Sequence, residues 1–151
     1  LFTKNLLFLC ISALLFAQCH TTEGIRVVTI PNLPKPSAPY NLGIWADDTY
    51  YLAGQIALDA QTGDLIKGSL ADEAHQVMHN LEAILAAAGL TFENVIKPTV
   101  YLTDTKDFAT LNEVYRSYFK SGYYPVRETV QVAGLVRGAR IEISMVAHRR
   151  K

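Results

Sequence analysis

Tyr124-Pro125-Val126-Arg127-Glu128-Thr129-Val130-Gln131-Val132-Ala133 and, after a short gap, Ala139-Arg140-Ile141-Glu142-Ile143-Ser144-Met145-Val146-Ala147 decide the fold of this chain. Both segments alternate in polarity and read as adjacent β-strands joined by the Gly-containing loop from Gly134 to Gly138. Each carries one charged residue suited to a small site. The planar fork of Arg127 can hold a carboxylate through two parallel hydrogen bonds. Glu142 stands between Ile141 and Ile143, so it projects to the other side of its strand, where it can handle a proton or a water. The pair predicts a small anionic substrate and acid/base chemistry.

Working backwards, Phe108 to Phe119 reads as a short aromatic helix with Phe108, Leu111, Tyr115 and Tyr118 on one face. Val95 to Thr103 before it reads as a buried strand. Pro98 interrupts that strand and, having no N–H, belongs at a bulge or where a donor would be unpaired. From Leu70 to Ala88 the residues Leu70, Ala74, Val77, Met78, Leu81, Ile84, Leu85 and Ala88 recur at spacings of three and four, an amphipathic helix. Ser69 and Asp72 form a capping box at its start, and Gly89 stands where its C-terminus turns into the left-handed region. Leu42–Ala46 and Thr49–Gly54 flank Asp47-Asp48 as a hairpin, with a further turn at Gln61-Thr62-Gly63. Arg26 to Ile30 reads as a first strand, followed by a proline-rich connector from Pro31 to Pro39. This order gives an α+β fold: a single mixed sheet with two helices on one face. The bare face calls for a cover, and a neighbouring subunit is the simplest one.

The 151 residues, half of them apolar, suffice for one core and show no break that would mark a second domain. Fourteen acidic and fourteen basic side chains balance, which argues against nucleic acid or an anionic membrane as main partner. The basic end, His148 to Lys151, reads as a solvated tail. Residues 1–19 differ in character: Lys4 precedes the apolar run from Leu6 to Ala17, the pattern of an export signal rather than of a membrane span. The expected organisation is a signal over 1–19 and one domain over 20–151, exported and periplasmic; a cytoplasmic location follows if the segment is not a working signal. Cys19 ends the run where a lipoprotein carries its anchor. Gln18 stands where a small residue is wanted, so ordinary cleavage and lipid anchoring both remain open. No cysteine follows Cys19, which removes disulfide, thiolate and cysteine–metal chemistry from the domain.

Ala38-Pro39-Tyr40, Ala53-Gly54-Gln55-Ile56, Thr62-Gly63, Asn80-Leu81 through Gly89-Leu90, Asp107-Phe108-Ala109-Thr110-Leu111-Asn112, Pro125-Val126-Arg127 and Ile141-Glu142-Ile143 together resemble the reactive-intermediate deaminase (Rid, or YjgF) family, over about Ile30 to Arg149. The resemblance implies a chorismate-mutase-like fold, a homotrimeric barrel assembly and a ligand cleft at each subunit boundary. It further implies hydrolysis of 2-enamine or 2-imino acids to 2-oxo acids and ammonia without a cofactor. Arg127 would hold the substrate carboxylate and Glu142 position the water, while Tyr40, Gly54, Asn112, Glu128 and Thr129 match or adjoin cleft positions. Three departures stand out. Thr129 replaces a frequent cysteine, Glu128 a small residue, and Ala53 a frequent serine.

Two other functional classes are to be weighed against this one. A non-catalytic trimer could bind a small carboxylate in this cleft. A ribonuclease, as some relatives are labelled, finds no basic stripe and no nuclease-like histidine arrangement. His75 and His79 lie four apart on the long helix, yet they lack the adjacent glutamate of a zinc hydrolase and an evident third ligand.

Overall fold

The computed structural model describes residues 24–31, 33–120 and 122–150. The signal expected over 1–19, with Cys10 and Cys19, lies outside the described residues. Strands β1 (Arg26–Val27), β2 (Gly43–Ala46), β3 (Thr49–Gln55), β4 (Val95–Leu102), β5 (Glu128–Gln131) and β6 (Ile141–His148) form one mixed sheet in the order β1-β2-β3-β6-β4-β5. Helices α1 (Leu70–Ala87) and α2 (Phe108–Tyr118) pack together, and α1 lies across β3 and β6. The α+β reading with two helices on one face of a single sheet therefore holds.

Alternation in β6 explains how that face was chosen. Ile141, Ile143, Met145 and Ala147 are buried in the helix-side core, while Glu142, Ser144 and Val146 between them stay half exposed. In α1 the predicted stripe is buried from Leu70 to Leu85, and Ala88 is half buried as the C-cap. The Ser69–Asp72 capping box forms in both directions, and Gly89 takes φ 73°, a backbone state that a side chain would strain. Two polar residues share the buried stripe, Glu73 and Asn80. In α2 the buried residues are Leu111, Val114 and Tyr115. Phe108, expected on that face, is exposed because it opens the helix beyond the edge of the core.

Four strand readings need correction. β1 covers only Arg26–Val27 rather than Arg26 to Ile30, and β5 only Glu128–Gln131, so Tyr124 to Arg127 is irregular. The irregularity at Pro98 lies just ahead of it: the β4–β6 register shifts between Val95 and Lys97, and β5 joins β4 only from Thr99 onward. Most consequentially, β5 and β6 are not neighbours. The chain passes from β4 through α2 into β5, a crossover that lets β5 lie parallel to β4, and β6 takes the other edge of β4 antiparallel. The loop between them straddles the end of β4, where Leu102 accepts the Val132 N–H (2.8 Å) and the Thr103 N–H donates to Arg140 (3.0 Å). Tyr101 thus stands between Val130 on one side and Glu142 on the other.

Candidate active site

The site residues fall into two groups that do not meet within the chain. The first surrounds Glu142. Where β3 meets β6 the register shifts between Leu52 and Gln55, and this bulge brings Gly54 against the Glu142 side chain. A Cβ on residue 54 would lie 2.9 Å from Cδ and 3.2 Å from Cγ of Glu142, and would collide with Oε1. Glycine is what makes room for the carboxylate. Burial pushes the Glu142 carboxyl above its ordinary value, and among the described residues no donor offsets that desolvation with a hydrogen bond. Glu142, Gly54 and Tyr40 line one cleft of about 780 Å³, whose wall is completed by the proline-rich connector and Arg137. The inner end is held by Asn80, which donates to the carbonyls of Ile56 (3.3 Å) and Leu58 (2.9 Å) and accepts from Gln76 (2.9 Å).

The second group surrounds Arg127. Its guanidinium donates to Oδ1 of Asn112 at 2.6 Å and lies over the rings of Tyr115 (4.6 Å) and Phe108 (5.6 Å), all on α2. Burial raises the Tyr115 hydroxyl well above its usual range, with Arg127 opposing the shift, and that hydroxyl has no partner among the described residues. Asn112, Tyr115, Arg116, Tyr124, Pro125 and Arg127 line a cleft of about 340 Å³. Aromatic walls and one fixed amide hold the cation in place while leaving part of its fork open for an anion.

Arg127 thus turns to α2 on the helix side, whereas Glu142 projects away from the buried isoleucines, with β4 between their strands. Two strand spacings amount to about 10 Å before any offset along the strands. The expectation that the two charges face one site from adjacent strands is not met within the chain. Glu128 points away from Arg127 and pairs with Lys97 at 3.1 Å, and Thr129 is half buried opposite Val100; neither lines the two clefts. His75 hydrogen-bonds to Tyr118 at 2.8 Å, outside both.

A family model described as Endoribonuclease L-PSP matches residues 30–149. The chain is 46% identical over 122 residues, 81% of its length and 88% of the relative's, to 2-iminobutanoate/2-iminopropanoate deaminase of Homo sapiens. It matches with a TM-score of 0.81 the crystal structure of YyfA from Yersinia pestis, a protein of unknown function of the conserved Rid family. There the identity is 32%, covering 83% of this chain and 100% of that one. The chain belongs to the Rid family. A third likeness is to the TdcF structure from E. coli with bound serine, with a TM-score of 0.78 and 36% identity over 83% of this chain and 99% of that one.

In this Rid chain the residues that sequence reasoning left out are mostly supports. Asn80, Gln55 and Glu73 are buried polar groups, and Arg137 adopts a positive φ of 58° at the cleft rim. Glu73 and Asn80 had a signal in the sequence: with Val77 and Ile84 they share the spacing of the apolar stripe, where a polar residue must have a partner. Arg137 had none, since a left-handed non-glycine residue is set by its surroundings.

Proposed function

We propose that the protein hydrolyses 2-imino acids and their enamine tautomers to 2-oxo acids and ammonia. The observation that carries this is the desolvated Glu142 packed on Gly54 in an open cleft, in a chain 46% identical to a human deaminase of 2-iminobutanoate and 2-iminopropanoate. Arg127, with one side of its fork tied to Asn112, binds the substrate carboxylate. Glu142 takes a proton from a water as the oxygen adds to the imine carbon and the C=N electron pair moves to nitrogen. The same carboxyl returns that proton to nitrogen, giving the carbinolamine; it then takes the hydroxyl proton and passes it to nitrogen, and the C–N bond breaks as ammonia leaves and the carbonyl forms. A carboxyl raised by burial is suited to both halves of that exchange. An imine carbon is already electrophilic, so placement and one proton relay are the main requirements, and no cofactor enters. The bound serine of the TdcF structure, an amino acid with the same carboxylate and α-nitrogen, agrees in size and charge.

The reading includes a homotrimer. Arg127 and Glu142 are two strands apart and face opposite ways, so a complete site needs Arg127 from one subunit and Glu142 from the next. Exposed Tyr51, Val130, Val126 and Tyr124 provide the apolar contact area for such a neighbour. Export, by cleavage of residues 1–19 or by anchoring at Cys19, belongs to the same proposal, and fractionation of cells producing the full chain tests it.

The test of function is an amino-acid oxidase generating imino acids in place, with semicarbazide trapping what is not hydrolysed. Wild type is expected to lower the trapped fraction, Glu142→Gln is expected to be nearly inactive, and Arg127→Ala to lose most of its activity at imine concentrations below saturation. Mixing the two variants as unfolded chains and refolding them together should restore activity, because some boundaries then join an intact Arg127 to an intact Glu142. Ligand-induced stabilisation by 2-oxo acids without any turnover would replace the enzyme by a carboxylate-binding protein.

A further inference from the structure

Outside the two clefts lies an ion pair between a buried carboxylate and a partly exposed guanidinium, which the proposed chemistry does not use. Glu73, in the first turn of α1, is only 4% exposed. One of its oxygens accepts from Nε of Arg140 at 2.8 Å, and the other accepts from the backbone N–H of Arg140 at 3.2 Å. The Arg140 guanidinium reaches on to the carbonyl of Gly68 at 2.6 Å, just ahead of the helix. On its other side the Arg140 carbonyl accepts from the N–H of Thr103 at 3.0 Å. The residue is therefore fixed through its side chain, its N–H and its C=O at once, at the point where the loop crossing β4 becomes β6. Glu142 is two residues further on, and Ile141 between them is fully buried.

We infer that Glu73 is a positioning residue for Glu142: by clamping Arg140 through side chain and backbone, it sets the entry of β6 and so the placement of the Glu142 carboxylate over Gly54. The carboxylate sits at a helix N-terminus, where the helix dipole favours it, and a charged, buried acceptor satisfies two donors that no apolar residue can. A merely stabilising pair would have no need to reach the backbone of the residue that leads into Glu142.

This inference rests on the proposed role of Glu142 and has a kinetic signature of its own. Arg127 lies on a separate element, against α2, so loosening β6 leaves carboxylate binding intact. Glu73→Gln keeps the size of the side chain but can no longer accept from both donors. Its kcat, per folded protein, is expected to fall roughly 10- to 100-fold at unchanged KM, the scale on which misplacement of a reacting group acts. The acid limb of its pH–rate profile should move down toward an ordinary carboxylate, since water reaches a displaced Glu142. Arg140→Lys, which keeps the backbone contact and loses the Nε contact, should show a smaller loss with the same signature, and it serves as the reading if Glu73→Gln does not fold. A lowered melting temperature with unchanged kcat and pH profile, or kcat and KM changing together, overturns the inference. Glu142→Gln, measured beside them, separates the two ideas: if it retains full activity the role of Glu142 fails, and if it is inactive while Glu73→Gln is not, only the positioning role fails.

Discussion

The half-site around Glu142 and the half-site around Arg127 are built in opposite ways. Glu142 is carried by a central strand, flanked by two fully buried isoleucines and fitted against a glycine, so its position is dictated by the core. Arg127 comes from an irregular segment just ahead of an edge strand, where its neighbours Tyr124 and Val126 are exposed, and it is steadied by one amide and two rings. The difference teaches that the Glu142 carboxylate is positioned by the subunit's own core. Arg127, by contrast, is held at the surface, where the proposed second subunit would complete the site.

The sharpest way to break this comparison is to disturb the rigid half. Gly54→Ala places a methyl group in the space of the Glu142 carboxylate and should lower kcat roughly 100-fold while the fold is retained, because the atom displaced is the free end of a side chain. Circular dichroism beside the imine assay checks both parts. Next comes the clamp. Arg127→Ala should weaken substrate binding by about 2 kcal/mol or more, roughly 30-fold in KM, with kcat at saturation much less affected. Equal losses in both parameters would show that the two halves act as one unit.

A smaller effect concerns pH. Burial raises the Glu142 carboxyl, so the folded protein holds its proton at pH values where the unfolded chain has released it. Stability from this group is complete below its ordinary range, near 4.5, and is lost as pH rises through the raised value. Glu142→Gln should therefore melt slightly higher than wild type at neutral pH, with the difference vanishing in acid. Activity runs the other way, rising through the same titration as the base is freed. The smallest effect is expected at Glu128, whose exposed pair with Lys97 contributes well under about 1 kcal/mol. Glu128→Ala should leave kcat/KM within about twofold, and a large loss would place Glu128 in the completed site and blur the contrast between the halves.

Much of this was legible along the chain, for reasons that differ between elements. The Ser69–Asp72 cap, the stripe from Leu70 to Leu85 and the turn at Gly89 are all local, each set by residues within a few positions of one another. The outward turn of Glu142 follows from strand alternation alone. The proximity of β5 and β6 was misread because a short loop between two alternating segments ordinarily closes a hairpin, and nothing near that loop reveals that β4 has entered between them. For Glu128 the sequence leaves open whether it pairs with Arg127 or turns away by alternation, and in the structure it turns away and pairs with Lys97.

By itself the sequence determined the helices and their ends and the face that each strand buries, since these depend on side-chain type and on periods of two and 3.6 residues. Only the tertiary structure decided the strand order, the bulge that fits Gly54 beneath Glu142, the clamp of Glu73 on Arg140 and the separation of Arg127 from Glu142. Those features join residues distant along the chain, and they are fixed by which backbone edges are left to pair and which buried polar groups must find a partner once the core has closed.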